Sequence, residues 1–260
     1  MAATDSTEVS VKKRSNADNK VVEIRHLKKS FGDRVVLDDV NLDLYEKENL
    51  VILGRSGTGK SVLIKCMVGL LKPDAGDINV LGYNVPALTA EELNELRLKV
   101  GFSFQGSALY DSMTIRENLE FPLKRNLGIY DKSELDELVM TSLQEVGLEK
   151  SADLKPAELS GGMKKRVGIA RTLILKPKIM LYDEPTAGLD PITSVEINEL
   201  ILEVRDKHNT ASIIITHDIS SARQTSDRII ALINGKNKLE GTFDELKKTD
   251  DPDLKLFFNY

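Results

Sequence analysis

No apolar run in this 260-residue chain approaches the roughly 18 residues that a membrane-spanning helix needs. The longest, Ile213-Ile214-Ile215 and Ile229 to Ile233, are the size of strands. The first residues are small, polar and charged and lack the apolar stretch of a secretory signal, so the chain is expected to stay in the cytoplasm. A single cysteine, Cys66, excludes an internal disulfide and a cysteine-based zinc site. Its neighbours, Leu63-Ile64-Lys65 and Met67-Val68, read as helix interior, which makes it a buried small hydrophobe rather than a reactive thiol. No basic excess exists either. The net charge of -5 argues against a nucleic-acid partner. The short run Lys12-Lys13-Arg14 reads as part of a solvated tail before it reads as a lipid contact. No internal repeat is visible, so one unit is present and not two.

What is present is an ordinary globular balance, 41% hydrophobic and 30% charged, in a chain long enough to bury a core without staples. Residues 1–20 read as a disordered tail. Short strands follow at Val21 to Ile24 and Val35 to Leu37, and Leu50 to Leu53 is a continuous apolar run, as in a strand buried on both faces. A helix is predicted from about Lys60 to Leu71. Beyond Thr89, whose following Glu91 and Glu92 mark a helix start, the texture turns helical, with Leu135, Leu138, Val139, Ser142, Leu143 and Val146 at helical spacing. Helix (about Lys164 to Leu175), strand (Lys178 to Tyr182), helix (about Ile192 to Lys207) and strands at Ala211 to Thr216 and Arg228 to Ile233 complete the pattern. This alternation predicts a mostly parallel, covered α/β sheet. The expected organisation is a core over 21–88 and 164–243, a helical insert over 89–163, and a C-terminal extension over 244–260.

Three patches carry chemistry. Gly54-Arg55-Ser56-Gly57-Thr58-Gly59-Lys60-Ser61 lies between a buried strand and a helix. Its glycines let the backbone turn its N–H groups inward as an anion nest, and the following helix adds the positive end of its dipole. Lys60 is placed to reach the outer phosphates of a nucleotide and Ser61 to ligate Mg²⁺. A second buried strand ends in Asp183-Glu184, where ligands sit in parallel sheets. Successive strand residues point to opposite sides, so the two acids should do different work: Asp183 in the Mg²⁺ shell, Glu184 on the attacking water. Third, Ser160-Gly161-Gly162-Met163 stands just ahead of a helix, a second phosphate-binding helix start for which a single-nucleotide enzyme has no obvious need.

Together, over about residues 21–243, these motifs resemble the ABC (ATP-binding-cassette) ATPases. The resemblance implies a P-loop NTPase fold of RecA-like type, a mostly parallel sheet flanked by helices, with a β-rich N-terminal part and a helical insert. It implies that Gly54 to Ser61 is the Walker A loop, that Phe31 stacks on adenine, and that Gln105 touches Mg²⁺ and senses a membrane partner. It further implies that Ser160, Gly161 and Gly162 contact ATP held by another subunit, that Asp183 and Glu184 are the Walker B aspartate and catalytic glutamate, that Ala187 to Asp190 is the D-loop, and that His217 braces the γ-phosphate. His26 and His208 read as surface or packing residues. Met163 stands where many members have Gln, Ala187-Gly188 where Ser-Ala is commoner, and Lys47 where many turn on Gly.

The expected cofactors are ATP and Mg²⁺. The expected assembly is an ATP-dependent homodimer held at the inner face of the cytoplasmic membrane by separate permease subunits. The segment Gln105 to Thr114 with Asn118 and Phe121-Pro122-Leu123, the run Thr186 to Ser194, and the tail Asp251 to Phe258 are similar to the lipid-trafficking ATPases of the Mce and maintenance-of-lipid-asymmetry type. That similarity implies phospholipid cargo and a substrate-binding Mce protein. A cassette for a small solute or lipoprotein, or a non-transport ABC ATPase in cell division or iron–sulfur assembly, remains the alternative. Either the tail packs on its own core or it reaches across a dimer.

Overall fold

A computed structural model describes residues 19–258. The expected tail, and Lys12-Lys13-Arg14 within it, therefore lies outside the described residues, except that Lys20 already opens the first strand. Two sheets form the frame. Strands β1 (Lys20–Phe31), β2 (Arg34–Tyr45), β4 (Ala75–Val80) and β5 (Tyr83–Asn84) make an antiparallel four-stranded sheet in the order β2-β1-β4-β5. Strands β3 (Asn49–Leu53), β6 (Val100–Ser103), β7 (Ile179–Asp183), β8 (Ala211–Thr216), β9 (Arg228–Ile233) and β10 (Lys236–Gly241) make the second, in the order β10-β9-β3-β8-β7-β6. Only the β9–β10 pairing is antiparallel there.

The alternation along β3 explains the layering. Leu50 and Ile52 enter a core shared with the four-stranded sheet and with helices α1 (Lys60–Met67) and α2 (Ala90–Lys99). Val51 and Leu53 enter a second core. That core is closed by α3 (Ile115–Pro122), α4 (Lys132–Glu145), α5 (Gly161–Leu173), α6 (Pro191–His208) and α7 (Ile219–Thr225). A strand with every residue buried on both faces has no polar alternation to show, and β3, β7 and β8 are of this kind. Short helices α8 (Phe243–Lys247) and α9 (Pro252–Phe258) follow. Leu254 is buried, and Phe257 and Phe258 pack on the second core, so in the single chain the tail lies on its own body. Among the described residues no helix is long and apolar enough to cross a membrane.

The structure departs from expectation in several places. The first two strands run 12 residues each rather than a few, because irregular register shifts let one pair bend without ending. The helix after the glycine-rich loop stops at Met67, four residues early, where Gly69 turns with a positive φ. The segment 89–163 is not wholly helical: Val100–Ser103 pairs with β7 and is the edge strand of the main sheet. Core helix α5 already begins at Gly161, inside the same segment, because Ser160 caps it. Lys47 does turn the chain between β2 and β3, which lie in different sheets, with φ 58, a left-handed conformation that costs a lysine more than a glycine. Cys66 is buried, and burial pushes its thiol up to about 11.

Candidate functional site

The buried strand β3 runs into the loop 54–59 and then directly into α1. Gly59 takes the cap position with φ 100, and no side chain caps the helix. A Cβ there would lie 2.8 Å from the Val36 carbonyl oxygen, and one at Gly54 would lie 2.6 Å from that of Leu232, so both positions are restricted to glycine. Thr58 closes the loop on itself, its hydroxyl donating to the Arg55 carbonyl at 2.9 Å. The uncapped N–H groups of the first turn thus face a cleft of about 390 Å³.

Phe31, Ser56, Gly57, Gly59, Lys60, Ser61, Gln105, Glu184 and His217 line that cleft together, so the structure brings most of the sequence-selected residues to one place. Gly54, Arg55 and Thr58 form the loop behind it. Phe31 ends β1 and is half exposed at the rim, with the Lys29 ammonium 5.4 Å from its ring centre. Ser160, Gly161 and Gly162 stand apart from this lining, at the start of α5. There the Ser160 hydroxyl accepts from the Met163 N–H at 3.3 Å. Arg34, Val36 and Val62 also line the cleft, and sequence reasoning passed over them. Their only signal was closeness to Phe31 and Lys60 along the chain.

The charged groups form a connected set. Lys60 is buried, donates to the carbonyls of Gly54 at 2.7 Å and Arg55 at 3.1 Å, and lies 3.3 Å from a Glu184 carboxylate oxygen. The other oxygen of Glu184 sits 2.8 Å from Nδ1 of His217. Ser61 donates to Asp183 at 2.9 Å. The two acids thus have separate partners, but alternation along a strand is not the cause. Asp183 is the last residue of β7, whereas Glu184 lies beyond it in the left-handed region, φ 50, where a sharp turn aims its side chain.

Burial raises the Asp183 carboxyl above its ordinary value. The Glu184 charge adds to that shift, while the Ser61 hydroxyl and the ammonium groups of Lys65 and Lys60 oppose it. A carboxylate strained in this way, beside a serine hydroxyl, suits a hard divalent cation. Among the described residues no group of three or more His, Cys, Asp or Glu could cage a metal. Mg²⁺ keeps water and phosphate oxygens and needs only one or two protein oxygens, such as those of the Ser61–Asp183 pair. Ser61, Asp183 and the Gln105 side chain are the oxygens this chain could offer.

Elsewhere the histidines find mundane partners: His26 is exposed and 2.7 Å from Asp39, and His208 lies 3.3 Å from Glu145. A second cavity, about 430 Å³, opens between β6, α3 and α5 and is lined by Phe102, Phe104, Tyr110, Phe121, Arg97 and Arg171 among others.

The ABC transporter family model matches residues 37–187. The chain is 39% identical, over 92% of its length, to the probable ribonucleotide transport ATP-binding protein mkl of Mycobacterium leprae, and spans 68% of that protein. It is 37% identical, over 93% of its length, to the chloroplastic protein trigalactosyldiacylglycerol 3 of Arabidopsis thaliana, and spans 74% of that one. A solved dimer of the ATP-binding cassette MJ0796, in a post-hydrolysis state bound to ADP and Pi, superposes with a TM-score of 0.78 at 34% identity, over 85% of this chain and 98% of that one.

Proposed function

This chain belongs to the ABC transporter family, as an ATP-hydrolysing cassette, and we propose that it is the motor subunit of a transporter that moves phospholipid through separate permease subunits. The observation that carries the ATPase reading is the convergence of Lys60, the Ser61–Asp183 pair and the Glu184–His217 pair on one cleft behind a glycine-rich helix start.

Two copies would close head to tail, each ATP lying between the loop 54–61 of one and Ser160-Gly161-Gly162 of the other. The loop N–H groups and Lys60 hold the phosphates, and Phe31 covers the base. Glu184 takes a proton from water, whose oxygen forms the new bond to the γ-phosphorus as the β–γ bridging oxygen leaves with ADP. His217 holds both Glu184 and the γ-phosphate in register. Ser61, Asp183 and Gln105 would hold Mg²⁺, which would supply neutralisation of the phosphate charge.

The second cavity suits a permease. Leu70, Phe104 and Tyr110 expose apolar surface around it, and Arg97 and Arg171 give it a basic edge. Such docking would hold the chain at the inner face of a membrane that it does not itself cross. The lipid assignment is supported by the sequence similarity of segments 105–123, 186–194 and 251–258, and by a relative named for a glycerolipid. The other relative is named for ribonucleotide transport, which makes a nucleotide or other small solute the second reading.

The test is gentle solubilisation of native membranes with a tag on this chain, followed by mass spectrometry. A permease, an Mce-type protein and bound phospholipid are expected. A permease with a soluble solute receptor would replace the cargo, and recovery without any membrane protein would remove transport.

A further inference from the structure

Lys165 is the buried cation that the mechanism above leaves unused. It sits on the first turns of α5, about 9% exposed, and its ammonium donates to two backbone carbonyls from different parts of the chain: Gln105 at 2.5 Å and Glu184 at 3.2 Å. Burial lowers its pKa, a cost that the nearby Glu184 and Asp183 charges offset in part. A lysine kept inside for packing alone gives no reason for its head to face these two carbonyls.

Both carbonyls belong to segments held in unfavourable conformations. Glu184 has φ 50, and its peptide is pinned on the other side by its N–H donating to the Ile215 carbonyl at 2.9 Å. Just beyond Gln105, Ser107 and Ala108 also have positive φ, and Arg171, further along the same helix, holds their carbonyls at 3.2 and 2.6 Å. A residue in the left-handed region stays there only while its surroundings hold it. Helix α5 thus grips the Gln105 loop at two points, and one of them, Lys165, also grips the turn that aims Glu184.

We infer that Lys165 is a positioning residue for ATP hydrolysis, which ties the loop beside the second cavity to the turn that aims the Glu184 carboxylate. It touches no reacting atom. Phe102 and Phe104, stacked at 4.1 Å, line that cavity and lead directly into Gln105. Whatever fills the cavity therefore bears on Glu184 through one ammonium group. The inference rests on the reading of Glu184 as the general base.

The experiment is steady-state ATPase kinetics with separate measurement of ATP affinity on the full chain carrying K165M, K165R or K165Q, beside wild type and E184Q. K165M is expected to lower kcat at least tenfold, with the Kd for ATP within about threefold of wild type, because the phosphate loop is untouched. K165R, which can keep both donations, should retain at least half of wild-type kcat, and K165Q, with a shorter reach, should fall between. A K165M turnover within threefold of wild type overturns the inference, and so does a K165R as impaired as K165M, since that pattern marks packing. If K165M fails to bind ATP, K165Q decides by itself: intermediate kcat with preserved affinity supports the role and wild-type kcat overturns it. E184Q separates the two readings. A positioned base contributes about 10²–10⁴-fold, so E184Q should be nearly dead. An active E184Q removes the base reading, whereas a dead E184Q beside a fully active K165M removes only the role of Lys165.

Discussion

The chain contains two glycine-rich helix starts built on the same device, and they differ in what surrounds them. At α1 the cap is Gly59, no side chain satisfies the first N–H groups, and a buried lysine, a serine–aspartate pair and a glutamate face the opening. At α5 the cap is Ser160, whose own hydroxyl accepts from the Met163 N–H, and Gly161 is exposed at the start of the helix. A helix N-terminus attracts an anion in either case. The first has its chemistry in place and the second has only its dipole, its glycines and its serine. A phosphate site divided in this way would have one helix start bring the reacting groups and the other complete the enclosure from a second copy, as proposed above.

The strongest way to break this comparison is dilution. If each site needs the α5 start of another copy, the dimer fraction below the dimer dissociation constant is proportional to concentration. Specific ATPase activity should then fall about tenfold for each tenfold dilution. Activity that stays flat to nanomolar protein, with light scattering reporting monomer, would make α1 and its carboxylates a complete site and leave α5 a helix like any other.

How much of this was legible beforehand follows from the kind of signal each part leaves. The glycine-rich loop 54–61, Asp183-Glu184 and His217 could be placed because each stands at the end of a continuous apolar strand, and such runs survive without any partner in view. Strand β6 was missed because Val100-Gly101-Phe102-Ser103 is short and carries a glycine. That glycine exists for packing: a Cβ at Gly101 would lie 2.4 Å from the Thr172 methyl. Strand β10, Lys236–Gly241, alternates exposed and half-buried residues at a sheet edge and so reads as loop. Conformation left no trace at all. Nothing in the letters around Glu184 announces a positive φ, and Lys165 looks like one more basic residue in Lys164-Lys165-Arg166 until its two carbonyl partners are brought to it by long-range folding.

A smaller effect sharpens the contrast at α1. The Asp183 carboxyl is raised above its ordinary 3.8 chiefly by burial. An acid whose folded pKa exceeds its unfolded value weighs against folding once it is ionised. That penalty is complete above the folded pKa and fades as pH falls through it towards 3.8. Asp183→Asn should therefore raise the urea midpoint of the nucleotide-free protein at neutral pH, and the gain should vanish in acid. The same variant should show less stabilisation by Mg·ATP than wild type, because the cation loses its carboxylate. A variant less stable than wild type at neutral pH would mean that the Ser61–Asp183 bond outweighs the burial cost.

The smallest effect falls on α5. Ser160→Ala deletes one cap and should lower stability by about 1 kcal/mol. For a domain of this size that is roughly 2–4 °C in Tm. The equivalent change at α1 is not mild, because a methyl group at Gly59 meets both a left-handed backbone and the Val36 carbonyl. The two helix starts therefore respond in the same sense but to very different degrees: at α1 the backbone cannot accept alanine, and at α5 it can. That makes Ser160→Ala a clean probe. If the hydroxyl serves only its own helix, Tm falls by those few degrees and turnover at saturating protein and ATP stays near wild type. If it also meets the phosphate held by a second copy, turnover falls well beyond what the stability loss explains, and dilution weakens it further. The second pattern is expected, because a serine needed only as a cap gives no reason for two glycines to follow it and leave one open to solvent.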